Sequence, residues 1–279
     1  MPIRPPTARR LTQLLGGKAS LARADRLRFP DLGHGFDRFG LSPEFAALGD
    51  LLGGPAYEHY FRVRSQGHQH IPTTGPAVLA GNHSGTLPFD AMMTWVDVFR
   101  HTDPPRVPRP LADHFVTTLP IISTLFARAG VVGGSRGNAD ALLASGEILM
   151  VFPEGTEGIS KPWSERYQLR GWTRGHAELA IRNRAPVVPF GLVGAEEQMP
   201  QLAQLPLPGP LPYLPIPATL LPLPVRYHLR YGAPIEVSAD YRAEDADDPA
   251  AVAALAERVA AAVAALLAEG LAAREGVFA

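Results

Sequence analysis

Cysteine is absent from the 279 residues. That excludes disulfides, thiolate metal sites and a cysteine nucleophile, and it suits a reducing compartment. Charge imbalance is missing too: the formal net charge is −1, so no overall basic field points to nucleic acid, and no DNA- or RNA-binding signature occurs. No uninterrupted run of 18 or more apolar residues exists, so no segment reads as a simple bilayer-spanning helix. The arginines near the N-terminus are not followed by an apolar stretch, so they do not form a secretory signal. The nine histidines include no His-x-x-x-His pair, which argues against a metal site. These absences predict a cytoplasmic protein with no metal and no nucleic-acid partner.

The 46% apolar content is ample for the core of one α/β domain. Residues 1–35 form a basic segment. Within 1–28, Arg4, Arg9, Arg10, Lys18, Arg23, Arg26 and Arg28 stand against Asp25 alone, with Leu11, Leu14, Leu15, Leu21 and Leu27 between them. This fits an amphipathic helix on anionic lipid or a solvated tail, broken at Gly16-Gly17. Residues 36–62 read as a helical approach, with Ser42 as N-cap and Pro43 at the first helical position. Phe61 to Ser65 alternates as a half-buried strand does. Pro104 to Pro110 breaks the chain, and His114 beyond it reads as structural.

The most organised stretch is Ala77-Val78-Leu79-Ala80, a buried strand leading through Gly81 into Asn82-His83-Ser84-Gly85. Pro88 suits a helix's first turn, and Met92, Met93, Trp95, Val96 and Phe99 recur at helical spacing. His83 then lies at a strand's carboxyl end and Asp90 in the first turn of the next helix, where α/β sheets carry chemistry. A neutral imidazole there can take a proton from a hydroxyl, and a carboxylate on its other nitrogen would fix the tautomer. Equally, His83 can hydrogen-bond the loop while Asp90 caps the helix.

Three further junctions follow. Gly130 to Arg136 is a short strand and glycine loop bearing an arginine, whose planar fork suits phosphate. Ile148 to Phe152 is a buried strand running into Pro153-Glu154-Gly155-Thr156-Glu157 and Ile159-Ser160-Lys161-Pro162-Trp163. Pro186 to Gly194 is another strand, ending at Glu196-Glu197.

With these residues in place the chain resembles the phospholipid/glycerol acyltransferases, the 1-acyl-glycerol-3-phosphate acyltransferase-like superfamily. Asn82-His83 with Asp90 looks like the family's His/Asp block, and Gly134-Ser135-Arg136 like its second. Phe152-Pro153-Glu154-Gly155-Thr156 matches the third and Val188-Pro189 with Gly194 the fourth. The resemblance spans residues 60–197. Two departures stand out: six residues, Ser84 to Phe89, separate His83 from Asp90 where the family commonly has four. Glu157 also replaces an arginine, removing a phosphate ligand that Lys161, Arg166 or Arg170 would have to replace.

The resemblance implies a single α/β domain over 36–240, with a mixed, mostly parallel sheet flanked by helices in the glycerol-3-phosphate acyltransferase-like fold. It implies His83 and Asp90 as the catalytic pair. Asn82, Ser84, Gly85, Arg136, Phe152, Pro153, Glu154, Gly155, Thr156 and Lys161 would form the substrate-binding set. The implied reaction takes acyl from acyl-CoA or acyl-carrier protein, as co-substrate and without a cofactor, to a lipid alcohol. Backbone N–H groups of the loop after His83 or of the helix near Pro88 would hold the oxyanion. Hydrolysis of a thioester or lipid, or lipid binding without catalysis, are the alternatives.

Residues 199–225 are rich in Pro and Leu and free of charge, which excludes a regular helix or central strand. Such a segment either covers its own domain or dips into a bilayer surface, with Tyr213 and Tyr227 marking the interface. Val225 to Gly232 reads as a late edge strand, 240–248 as an acidic linker, and 249–270 as an alanine-rich helix packed on the domain. The location implied is the inner face of the cell membrane.

Overall fold

Strand β2 (Ala77–Gly81) and strand β6 (Val187–Val193) are buried at every position, because both faces of the sheet they share are covered. Such doubly covered parallel strands read as continuous apolar runs. The computed structural model describes residues 8–84, 87–113, 116, 118–159, 161–206 and 213–279, without the side chains of 206 and 213–215. Gly85 and His114 therefore lie outside the described residues.

The remaining strands of the main sheet are β1 (Arg64–Gln66), β3 (Pro108–Ala112), β4 (Val132–Gly133), β5 (Ile148–Val151) and β9 (His228–Tyr231), in the order β1-β9-β6-β2-β5-β3-β4. From β6 to β4 all pairings are parallel; β9 runs antiparallel to β6 and carries β1 parallel on its far side. The sheet is thus mixed and mostly parallel. The five parallel strands end together, and every loop leaving that edge is available to one crevice.

Alternation along β2 divides the core. Ala77 and Leu79 face a cluster that includes Phe61, Met93, Phe99 and Tyr227. Val78 and Ala80 face another with Leu142, Ile181, Val259 and Val263. Helices α3 (Pro43–Pro55) and α4 (Phe89–His101) cover the first face, and α5 (Ile122–Arg128) follows β3. Helices α6 (Arg136–Ala144), α8 (Gly175–Arg182) and α9 (Pro249–Ala273) cover the second. Helix α9 has the length and apolar composition to cross a membrane. Here Val252, Leu255, Val259, Val263 and Leu267 recur on one face and are buried on the domain.

Several sequence expectations are corrected. The basic N-terminal segment folds as two short helices, α1 (Ala8–Leu14) and α2 (Lys18–Ala24), broken at Gly16-Gly17 and packed on α3. Residues 36–42 are not helical; Asp37 instead accepts the Leu41 N–H and pairs at 2.6 Å with Arg109, which is wholly buried on β3. The break expected over Pro104–Pro110 contains the start of β3. Its prolines are tolerated because β4 reaches only Leu111 and Ala112, leaving 108–110 paired on one side. Strand β9 is interior, since β1 covers its outer side. Residues 240–248 are more than a linker: Ala243–Asp247 forms a 3₁₀ turn and Asp248 caps α9 through the Ala250 N–H.

The Pro/Leu-rich segment contains an antiparallel ribbon, β7 (Gln201–Pro206) with β8 (Tyr213–Pro217), separate from the main sheet. Tyr227 marks no interface. It is buried, stacked on Phe61 at 4.4 Å and bonded through its hydroxyl to Gln198 at 2.5 Å.

Candidate active site

The backbone leaves β2 at Gly81 and turns at once into His83. Gly81 is required there, because a Cβ would overlap the ring of Phe190 from β6. That ring stands edge-on to Phe152, 5.8 Å between centroids, and Phe152 in turn stacks on the His83 imidazole at 4.4 Å. One absent methyl group thus admits the aromatic stack that supports His83. Asn82 spends its side-chain amide on β6: Nδ2 donates to the Leu192 carbonyl at 3.1 Å, and Oδ1 accepts the Leu192 N–H at 2.8 Å. It clamps two strand ends and is wholly buried.

The six-residue spacing does close. His83 Nδ1 lies 2.6 Å from Oδ2 of Asp90, which occupies the first turn of α4, where the helix dipole favours negative charge. The same oxygen accepts the Ser84 N–H at 2.9 Å, and Oδ1 accepts the Ala91 N–H at 2.7 Å. Asp90 is completely buried, whereas the His83 side chain keeps 20% of its surface exposed. A carboxylate oxygen only accepts, so the Nδ1 proton faces Asp90 and Nε2 carries the free lone pair. No described residue hydrogen-bonds Nε2.

Behind this pair sits a second carboxylate. Glu154 Oε1 accepts the His83 N–H at 2.9 Å; Oε2 accepts from Lys161 Nζ at 2.9 Å and from the Arg170 N–H at 2.8 Å. Lys161 also reaches Glu196 Oε1 at 3.0 Å, and Glu196 Oε2 accepts the Tyr167 N–H at 2.7 Å. Burial pushes the Glu196 carboxyl up to about 7, against the pull of Lys161. Gly158 of α7 (Gly155–Ile159) allows this close packing, since a Cβ there would stand 2.8 Å from Glu154 Cβ and 2.9 Å from His83 Cβ.

The predicted substrate-binding set therefore divides. Asn82, Glu154 and Lys161 are buried with their polar atoms bonded to protein, so they hold the crevice wall in place and are not placed to touch a ligand. Ser84 is buried beside Asp90. Pro153 is buried with its carbonyl accepting the Thr173 N–H, while Gly155 opens α7 at φ +55° and Thr156 follows it. Arg136 is 77% exposed and pairs with Glu178 at 2.7 Å; no contact among the described residues joins it to His83. Of the N–H groups offered for an oxyanion, those of His83 and Ser84 are already donated, to Glu154 and Asp90.

Lys161 does not replace the arginine absent at Glu157, because its ammonium is sealed between two carboxylates. Arg170 pairs with Glu165, and Arg166 lies over the Trp163 ring, 3.7 Å from Glu197. The residues that sequence reading passed over are Glu196 and Gly158. Their only signal was the Glu196-Glu197 pair placed directly after a buried strand, and a glycine one helical turn past Glu154.

The mixed α/β sheet carries a histidine–carboxylate pair at its carboxyl edge, an arrangement chemically able to accept a proton. Residues 62–193 match the profile of the family described as Acyltransferase. An uncharacterized protein of Mycobacterium tuberculosis (strain H37Rv) is 37% identical over 255 residues, 87% of this chain and 71% of that protein. A Mycobacterium leprae protein, also uncharacterized, is 35% identical over 87% of this chain and 69% of its own length. The human "DGAT1/2-independent enzyme synthesizing storage lipids" is 32% identical over 140 residues, 50% of this chain and 41% of that enzyme. In fold, the chain matches the crystal structure of the 1-acyl-sn-glycerophosphate (LPA) acyltransferase PlsC from Thermotoga maritima. The TM-score is 0.60, with 17% identity, over 96% of this chain and 95% of that one. The chain belongs to the acyltransferase family.

Proposed function

We propose that this acyltransferase moves a fatty acyl group from acyl-CoA or acyl-carrier protein to the hydroxyl of a glycerolipid, lysophospholipid or related lipid alcohol. The observation that carries the reading is the His83–Asp90 geometry: Nδ1 held by a buried carboxylate at 2.6 Å, with Nε2 bonded to none of the described residues. Nε2 removes the proton as the alcohol oxygen attacks the thioester carbon. Asp90 stabilises the imidazolium that forms. As the tetrahedral intermediate collapses, the C–S bond breaks and the imidazolium returns its proton to the departing thiolate. No enzyme-bound acyl group is needed, and no cofactor enters the balance.

Among acceptors, those without a phosphomonoester are favoured. Glu157 adds a negative charge beside the wall, Lys161 is sealed, and Arg136, Arg166 and Arg170 each already stand beside a carboxylate. The human relative, whose name refers to storage lipids, points the same way. Catalysis on the inner face of the cell membrane suits such substrates.

The test incubates pure protein with labelled acyl-CoA, with and without monoacylglycerol, diacylglycerol or lysophosphatidate. Thiol release should depend on the acceptor, with label appearing in acylated lipid and the uncharged alcohols outpacing lysophosphatidate. Equal release of free fatty acid without any acceptor would assign hydrolysis instead.

A further inference from the structure

Residues 199–225 carry no charge in a chain that is 19% charged. Nine of its seventeen described side chains are exposed. Leu202 is 72% exposed, Leu205 50%, Ile216 42%, Leu220 95% and Leu221 75%, and strands β7 and β8 pack chiefly on each other. Contiguous exposed apolar surface of this kind marks an interaction site.

Three observations identify the partner. First, the ribbon follows β6 and so stands at the same edge of the sheet as His83. Gln198, at its root, reaches the Leu87 carbonyl of the His83–Asp90 loop at 3.4 Å. Second, other bare apolar residues leave that edge: Ile121, 76% exposed, after β3, and Trp163, 42% exposed, after β5. Third, a cationic rim borders the ribbon's return. Arg62 donates to the Pro224 carbonyl at 2.8 Å, and Arg64 and Arg226 begin the β1 and β9 end of the sheet alongside it. Burial and the neighbouring charges of Arg64 and Arg62 lower the Arg226 guanidinium, with Glu275 opposing. Among the described residues, none of the three arginines forms an ion pair. Exposed apolar side chains beside a row of arginines match the two layers of an anionic lipid surface, acyl boundary and headgroup.

We infer that the β7–β8 ribbon and its continuation to Leu221 dock this protein on an anionic bilayer, with Arg62, Arg64 and Arg226 at headgroup level and the His83 crevice opening toward the lipid. The purpose of the docking rests on the lipid-acceptor reading above; the docking itself is measured without turnover. A second copy of the chain is the other occupant such a ribbon admits, but it supplies no counter-charge for the rim.

The experiment sediments the full chain with vesicles of phosphatidylcholine alone or mixed with phosphatidylglycerol. Wild type should bind the mixed vesicles more strongly. The double variant Leu220→Glu/Leu221→Glu should lose at least about tenfold in partitioning, because two apolar groups leave the bilayer and two charges oppose its surface. Arg64→Gln should weaken binding about fivefold on anionic vesicles only, the equivalent of one surface cation. Leu11→Glu/Leu14→Glu, in helix α1, should bind as wild type. All three variants change exposed residues and should keep wild-type melting behaviour. Wild-type partitioning by Leu220→Glu/Leu221→Glu, or loss confined to the α1 variant, would overturn the inference. So would a dimer that this double variant dissolves in the absence of any vesicle binding. Vesicle binding without acyl transfer would instead leave the docking standing and overturn the proposed activity.

Discussion

Asp90→Asn is expected to cut acyl transfer by about 10³- to 10⁴-fold while leaving the fold intact. The size follows from the tautomer. Asp90 accepts from His83 Nδ1 and from the Ser84 N–H through one oxygen. An asparagine can keep both of these bonds only by setting its amide N–H groups against the Ala91 N–H that Oδ1 accepts; turned the other way, it presents an N–H to the imidazole. In that second setting two donors cannot face each other, so Nδ1 becomes the acceptor and the proton moves to Nε2. The nitrogen facing the crevice can then no longer take a proton from an alcohol. The analogous exchange in a serine-protease triad costs about 10⁴-fold, and a general base alone accounts for about 10²- to 10⁴-fold. Purified variant and wild type, compared by acceptor-dependent thiol release and by thermal unfolding, provide the measurement. Near-normal turnover by a folded Asp90→Asn protein would mean that Asp90 only caps α4.

Glu154→Ala is expected to act mainly on stability, and through it on the site. The side chain of Glu154 is fully buried and its two oxygens satisfy three donors: the His83 N–H, the Lys161 ammonium and the Arg170 N–H. Removing it leaves two backbone donors unpaired and Lys161 with Glu196 alone. Breaking a buried ion pair by deleting one partner costs about 3–5 kcal/mol, a large part of the roughly 5–15 kcal/mol that holds a folded domain together. The melting temperature should fall by roughly 10 °C. Activity should fall further than unfolding explains, since the loop bearing His83 loses its anchor and a displacement of about 1 Å can cost about 100-fold. Glu154→Ala combined with Lys161→Met and Glu196→Gln should recover part of the lost stability, because no buried charge is then left without its partner. If the triple variant were no more stable than the single one, the ion pairs would not be what Glu154 contributes.

How much of this was legible in the sequence depended on whether a feature is local. The strand was readable because four apolar residues, Ala77 to Ala80, between Gly75-Pro76 and Gly81 admit few other readings. The helix after Pro88 was readable from its spacing. Together they placed His83 and Asp90 at one edge before any coordinate was known, and the four ordered blocks supplied the sheet around them. Features set by distant partners stayed hidden. Lys161 reads as a phosphate ligand in isolation, and only Glu196, 35 positions on, shows that its charge is already met. Val225 to Gly232 alternates as an edge strand does, and nothing local reveals that β1 pairs with it from 164 residues earlier in the chain. Pro108 and Pro110 argue against a strand, yet a short neighbour leaves their side of β3 unpaired. The ribbon of 201–217 was masked in the same way by its prolines, which forbid a central strand but not a two-stranded one.

The central claim is that the free Nε2 of His83 deprotonates a lipid alcohol as it attacks a thioester. It is tested most directly by following label from acyl-CoA into acylated lipid with wild type and His83→Ala at matched concentrations of folded protein. Acylated lipid should form with wild type and fall by at least about 10³-fold with His83→Ala, with thiol release falling in parallel. Acylated lipid formed by His83→Ala at the wild-type rate would contradict the account.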